Sequence, residues 1–164
     1  MTDGHPALTG PAGRAHRGTR LRWASRGDSE RLHALFCEVR PGEQKEAPAD
    51  LEEWLEHGGA ILPEDEEGRL LSAVRWLDTP EGWLLDRICT REAARGLGFG
   101  RWLMTKVEAL AIRHNVPLLT VRLPGAEENS YYERLGYLVS RNGSGYIASK
   151  QVGGQWQLRR DDRA

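Results

Sequence analysis

The chain is predicted to fold as a mixed α/β (α+β) domain, with a central sheet of about six to seven strands flanked by about four helices. Three observations predict this class. Apolar side chains alternate in several short runs and recur at three-to-four-residue spacing in longer ones, the signatures of strands and of amphipathic helices. A strand-like run meets Arg95-Gly96-Leu97-Gly98-Phe99-Gly100 and passes without a break into a helical pattern. A second β-rich run follows that helix, and a strand, a crossover helix and a strand imply a right-handed parallel unit.

Length and composition set the outer bounds. A chain of 164 residues with 39% hydrophobic side chains suits one domain, able to bury roughly 70% of the surface its unfolded form would expose. A formal net charge of -1 provides no global field to draw the protein onto nucleic acid or anionic lipid. The two cysteines, Cys37 and Cys89, lie in no Cys-x-x-Cys or His/Cys cluster. Neither a zinc site nor a disulfide framework is suggested, and a reducing compartment is the default. No run is long enough for a membrane helix and no signal-peptide core opens the chain, so a soluble cytoplasmic protein is expected.

Taken in order, residues 1–19 are rich in glycine and proline and nearly free of large apolar side chains, and they read as a mobile tail. The domain is expected over 20–152. Leu21 and Trp23 alternate as in a strand. Asp28 stands as N-cap for a helix with Leu32, Leu35, Phe36 and Val39 on one face, ended by Pro41-Gly42. An acidic, partly helical segment follows from Glu43 to His57, with Pro48 in an early helical position and Leu51, Trp54 and Leu55 as its apolar stripe. Ala60 to Leu62, Leu70 to Leu77 and Trp83 to Thr90 read as three strands of an antiparallel meander. Phe99, Leu103, Val107, Leu110, Ala111 and His114 recur on one side of the next helix, and Pro117 to Leu123 reads as a central strand. Pro124-Gly125 turns the chain into a helix holding Tyr131 and Tyr132. Tyr137 to Ser140 and Tyr146 to Val152 form a closing hairpin about Asn142-Gly143. Residues 153–164 read as a fraying tail, with Trp156 as a side chain that could dock.

The junction at Arg95 to Gly100 carries the chemistry. Glycines at alternate positions permit positive φ and remove the Cβ atoms that would hold a ligand away from the main chain. The helix that follows adds unsatisfied first-turn N–H groups and the positive end of its dipole, so the junction is an anion cradle suited to a diphosphate. A dinucleotide fingerprint needs its third glycine one residue later, and an NTPase loop needs Gly-Lys-Ser/Thr where Gly100-Arg101-Trp102 stands. A phosphate site for some other nucleotide remains a reading of the cradle alone.

The remaining pattern, Arg-x-x-Gly-x-Gly over Arg95 to Gly100, resembles the acetyl-CoA signature of the GNAT superfamily of N-acetyltransferases. Tyr131-Tyr132-Glu133-Arg134-Leu135-Gly136-Tyr137 is similar to the second landmark of that family. The resemblance covers roughly Arg20 to Val152 and implies a GNAT-like fold with acetyl-CoA (coenzyme A) as cofactor. It further implies a small-molecule or peptide amine as acceptor, attacked directly in a ternary complex without a metal. Cofactor contacts would fall on the main chain of Ile88, Cys89 and Thr90, on Arg95, Gly96, Leu97, Gly98, Phe99, Gly100 and Arg101, and on Asn129, which stands nearer the tyrosine than the family pattern has it. Tyr132 matches the tyrosine that protonates the departing thiolate, a task suited to a phenol with a pKa near ~10, and Tyr131 matches an aromatic that packs inward.

Asp86 stands where many members keep an acid to take a proton from the amine; a structural ion pair with Arg75 or Arg87 is the alternative. Glu43, Glu46, Asp50, Glu52 and Glu53 would wall the acceptor site and favour a cationic amine, or form a solvated helix face. A non-catalytic acyl-CoA-binding module is the alternative function, and pairing with a second copy as a homodimer stays open.

Overall fold

The computed structural model describes residues 18–43, 45–86 and 88–152. The tail readings for 1–17 and 153–164, Trp156 included, lie outside these residues. Twelve elements follow in order: β1 (Arg20–Trp23), α1 (Ser29–Val39), α2 (Pro48–Glu56), β2 (Gly58–Glu64), β3 (Ser72–Thr79), β4 (Gly82–Leu85), β5 (Cys89–Thr90), α3 (Phe99–Arg113), β6 (Leu118–Leu123), α4 (Asn129–Arg134), β7 (Leu138–Asn142) and β8 (Gly145–Gln151). Short 3-10 turns occupy Arg26–Asp28 and Glu92–Ala94. Hydrogen-bonded strands run β1-β2-β3-β4-β6-β8-β7, with β5 also on β3. β4 and β6 are parallel, and most of the other pairings are antiparallel.

The expected mixed α/β sheet with four helices is present, with eight strands instead of six to seven. The run from Trp83 to Thr90 makes two strands because its pairing with β3 slips. Trp76 faces Leu85 and Ala73 faces Cys89, so three steps along β3 answer four along the partner. The partner run therefore carries one residue more than β3 between Leu85 and Cys89.

The described parts of Met1–Arg75 and Ile88–Leu103 form one compact unit, and those of Trp76–Arg87 and Met104–Ala164 a second. In the first, α1 buries Leu32, Leu35 and Phe36 together with Leu51 of α2, Ala60 and Leu62 of β2, Leu70, Ala73 and Cys89. Of the α1 stripe read from the sequence, Leu32, Leu35 and Phe36 are buried, and Val39 packs against them half-buried. Beneath it, Asp28 departs from its expected role. Its backbone is already helical (φ -89, ψ -4) and its side chain makes no cap bond to α1. The carboxylate instead accepts from Ser25 N at 2.7 Å and from Arg22 Nη1 at 2.8 Å and Nη2 at 2.5 Å, because a bidentate guanidinium is a stronger partner than a helix amide.

Arg22 Nε also donates to Glu64 Oε1 at 2.7 Å, and Arg31 Nη1 stands 3.1 Å from Glu64 and 3.3 Å from Asp28. Burial by itself would raise both acids. For Asp28 the Arg22 guanidinium and the Ser25 amide outweigh it, and for Glu64 the three arginines Arg22, Arg31 and Arg20 do so, so both carboxyls lie below their ordinary range.

In the second unit, β6 alternates strictly, burying Leu119, Val121 and Leu123. Trp76 and Trp83 stack at 4.6 Å, and Val107, Leu110 and Ala111 of α3 are buried as well. His114 is exposed just beyond the helix end, so it does not complete the buried stripe. Gly82 is required where β4 starts beside β6: its φ is +151, and a Cβ there would run into the Leu118 carbonyl oxygen. The closing hairpin pairs Asn142 with Gly145, so its two loop residues are Gly143 and Ser144 and not Asn142-Gly143; Gly143 supplies the positive φ of 61.

Candidate active site

The glycine junction is built from the chain inward. After β5 and the 3-10 turn, Arg95 is extended (φ -68, ψ 151), and Gly96 and Gly98 follow at φ +76 and +80, a region costly for any residue with a Cβ. Gly100 has no such requirement, since it lies in the first turn of α3. Phe99, buried and edge-on to Trp102 at 6.1 Å, anchors the helix start. Trp102 N closes the first turn on Gly98 O at 3.1 Å.

Arg95 is exposed, and its Nε donates to Thr90 O at 3.3 Å; Leu97 and Arg101 are exposed as well. A Cβ placed at Gly96 or Gly98 would meet no protein atom within 4 Å, so the glycines relieve backbone strain over a face that the protein leaves open. With the first-turn amides of a 15-residue helix beside it, this face fits an anion such as a diphosphate.

The segment expected to align the cofactor arm is partly engaged. Cys89 and Thr90 pair with Ala73 and Ser72, Cys89 O accepts from Ser72 Oγ at 2.7 Å, and Thr90 O accepts from Arg95. Among the described residues β5 pairs with β3 alone, which leaves its second edge without a strand. Ile88 precedes it, half-buried.

The tyrosine phrase forms α4 and the turn after it. Tyr132 is 2% exposed, and its ring stands edge-on to Tyr131 at 5.1 Å and to Tyr137 at 5.7 Å. Tyr131, expected to be the inward one, is only half-buried, since the short helix points its successor into the core. Tyr137 donates its hydroxyl to Glu108 Oε1 at 3.1 Å. Burial, with the Glu108 carboxylate beside it, pushes that hydroxyl far above the ordinary phenol range. At the N-terminus of α4, Asn129 Oδ1 and Glu128 Oε2 are sealed from solvent without a hydrogen-bond partner among the described residues. Two acceptors of this kind fit a ligand carrying N–H donors. Glu128 was not foreseen, because nothing about a glutamate in a polar turn marks it as buried.

Asp86 lies half-buried just past β4 rather than within a strand. Arg87 is outside the described residues. Arg75 pairs with Glu46 Oε1 at 2.8 Å, its guanidinium lying 4.0 Å from the Trp54 ring centroid and 4.9 Å from that of Phe36. Of the acids expected to wall the acceptor, Glu46 has Arg75, Asp50 accepts from Ala47 N at 3.1 Å, and Glu52 accepts from Ser29 Oγ at 3.4 Å and faces Arg26. Sequence reading also passed over the pair made by Cys37 Sγ and His33 Nε2 at 3.5 Å, whose i, i+4 spacing on α1 was the available signal. Among the described residues no group of three or more His, Cys, Asp or Glu side chains could hold a metal ion, and no helix is long and apolar enough to cross a membrane.

The same architecture occurs in solved N-acetyltransferases. PaiA N-acetyltransferase from Thermoplasma acidophilum, solved in complex with coenzyme A, superposes with a TM-score of 0.70 at 15% identity over 81% of this chain and 98% of that one. The ribosomal-protein-S18-alanine N-acetyltransferase from Escherichia coli gives 0.71 at 11% identity over 82% and 94%. The spermidine/spermine N-acetyltransferase SpeG from Vibrio cholerae gives 0.64 at 18% identity over 88% and 99%. At these identities the likeness is one of fold, and no curated protein matches the sequence.

The fold class is therefore that of the N-acetyltransferases. Residues 29–137 match the model of the acetyltransferase (GNAT) family, and the chain belongs to that family. It is an acyltransferase, and its cofactor is acetyl-CoA.

Proposed function

We propose that the protein transfers the acetyl group of acetyl-CoA to a primary amine of a small molecule or peptide, by direct attack in a ternary complex within the cytoplasm. The observation that carries this reading is the open-faced curl at Gly96 and Gly98 running into α3. When bound, the cofactor supplies an acyl group activated as a thioester. The main-chain amides from Gly96 to Arg101 bind its diphosphate. The backbone of Ile88 to Thr90 orients its arm, and the amide of Asn129 adds a contact. Asp86 accepts the proton that the acceptor ammonium must lose before its nitrogen has a lone pair, and Tyr132 Oη delivers a proton to the departing sulfur. Positioning supplies most of the gain.

The relatives of known acceptor suggest the panel: spermidine, spermine and a peptide ending in a free alanine amine. Calorimetry with acetyl-CoA followed by thiol release over that panel tests the proposal, and binding without turnover on any amine would leave only a binding module. Tyr132→Phe is expected to lower kcat roughly ten- to a hundredfold while the calorimetric Kd for acetyl-CoA stays unchanged. Equal kcat in the two proteins would remove Tyr132 from the mechanism.

A further inference from the structure

Helix α4 has six residues, too few to hold its own geometry, yet it carries the tyrosine on which the proposed proton transfer depends. What holds it comes from elsewhere in the same unit. Lys150 of β8 donates to Leu135 O at 2.9 Å, the carbonyl at the C-cap of α4, and to both carboxylate oxygens of Glu108 at 3.3 Å. Its Nζ stands 5.6 Å from the centroid of the Tyr137 ring, a cation–π arrangement. Between these two contacts the chain reverses at Gly136, φ +89. Tyr137 N then returns to Tyr132 O at 3.0 Å, and the two rings meet edge to face. The Tyr137 ring is therefore fixed at its hydroxyl by Glu108, on its face by Lys150 and at its backbone by Tyr132. One ammonium ties α3, the end of α4 and β8 together.

We propose that Glu108 and Lys150 are positioning residues for Tyr132. They fix the last turn of α4 and the Tyr137 ring, and these in turn set the angle at which the Tyr132 hydroxyl is presented. Tyr137 cannot stand in for Tyr132, because its hydroxyl is committed to Glu108 and held protonated by burial and by that carboxylate. The assignment rests on Tyr132 as the proton donor. It adds a role for two charged residues that would otherwise pass for a partly buried structural ion pair.

The experiment is a double-mutant cycle with the fastest amine of the panel. K150M is expected to lower kcat at least fivefold with KM for acetyl-CoA within twofold, and E108Q to give a smaller loss of the same kind. K150R, which keeps the charge, should recover most of the rate. In a Y132F background K150M should have no further effect on kcat, since its target is gone. In the protein without cofactor, the Tyr132 ring-carbon resonance should be single in the wild type and broadened or split in K150M, a change that a surface ion pair would not produce. Wild-type kcat in K150M, or a full additional loss in the Y132F background, overturns the positioning role while leaving Tyr132 in place. Wild-type kcat in Y132F itself overturns Tyr132 and the positioning role together. Should K150M not fold, E108Q and K150R are read by the same split, and wild-type kcat in E108Q then refutes the assignment.

Discussion

Arg22→Met tests the buried charge network that joins β1, the start of α1 and β2. The guanidinium is the common partner of Asp28 and Glu64, whose side chains are 5% and 4% exposed while its own is 26% exposed. Methionine keeps most of the volume and removes the charge, stranding two carboxylates with Arg31 at 3.3 and 3.1 Å as their nearest remaining cation. Breaking a buried pair from one side costs about 3–5 kcal/mol. With Arg31 in reach the lower end applies, about 3 kcal/mol, or a fall in Tm of about 6–12 °C for a chain of this size.

The sign of the pH dependence follows from the same groups. In the wild type both acids are held below their ordinary range, so their contribution is present at neutral pH and is lost as pH falls through the lowered folded values. In the variant, burial acts on carboxylates that have lost their main partner, and the folded state takes up protons more readily. The stability gap between the two proteins should therefore shrink below a pH of about 4.5, the upper edge of the ordinary carboxylate range. Urea unfolding followed by tryptophan fluorescence at pH 7 and pH 4 measures it. A gap under about 1 kcal/mol at pH 7, or one that widens on acidification, would refute the reasoning.

Two further substitutions probe glycines with different tasks. Gly98→Ala forces a side chain to φ +80 and places its Cβ in the open face of the cradle. It should weaken acetyl-CoA binding about tenfold by calorimetry while stability falls by only about 1–2 kcal/mol, and an unchanged Kd would argue that the cofactor does not lie over this curl. Gly82→Ala, by contrast, should leave any folded protein with normal cofactor affinity but cost at least about 3 kcal/mol by urea unfolding, since the Leu118 carbonyl must move. A loss below about 1 kcal/mol would mean that the start of β4 yields easily.

Much of the candidate site is readable in the chain because its signals are local. A curl of glycines next to an amphipathic segment is contiguous, and so is the phrase from Tyr131 to Tyr137, so both could be placed on elements before any tertiary contact was known. Asp86 and Asn129 lie at the limit of that method, since their residue types fit and their surroundings come from other elements. Arg75 shows what escapes it. An arginine inside an apolar strand reads as an interruption, and only folding brings Trp54, Phe36 and Glu46, 21, 39 and 29 positions away, around its guanidinium. Lys150 is hidden for the same reason, its partners Glu108 and Leu135 being distant in the chain.

The sequence by itself determined the fold class, the order of nearly every element and the position of the glycine junction ahead of α3, because hydrophobic periodicity and backbone freedom act over a few residues. The tertiary structure alone decided the extra residue that splits β4 from β5 and the hairpin register at Gly143-Ser144. It also decided the turn of Asp28 away from α1 toward Arg22 and the choice of Tyr132 over Tyr131 as the buried ring. Each of these outcomes depends on strand register or on contacts with another element, which local periodicity does not encode, and for Asp28 burial, which strengthens the polar interactions it encloses, favours the Arg22 guanidinium over a helix amide.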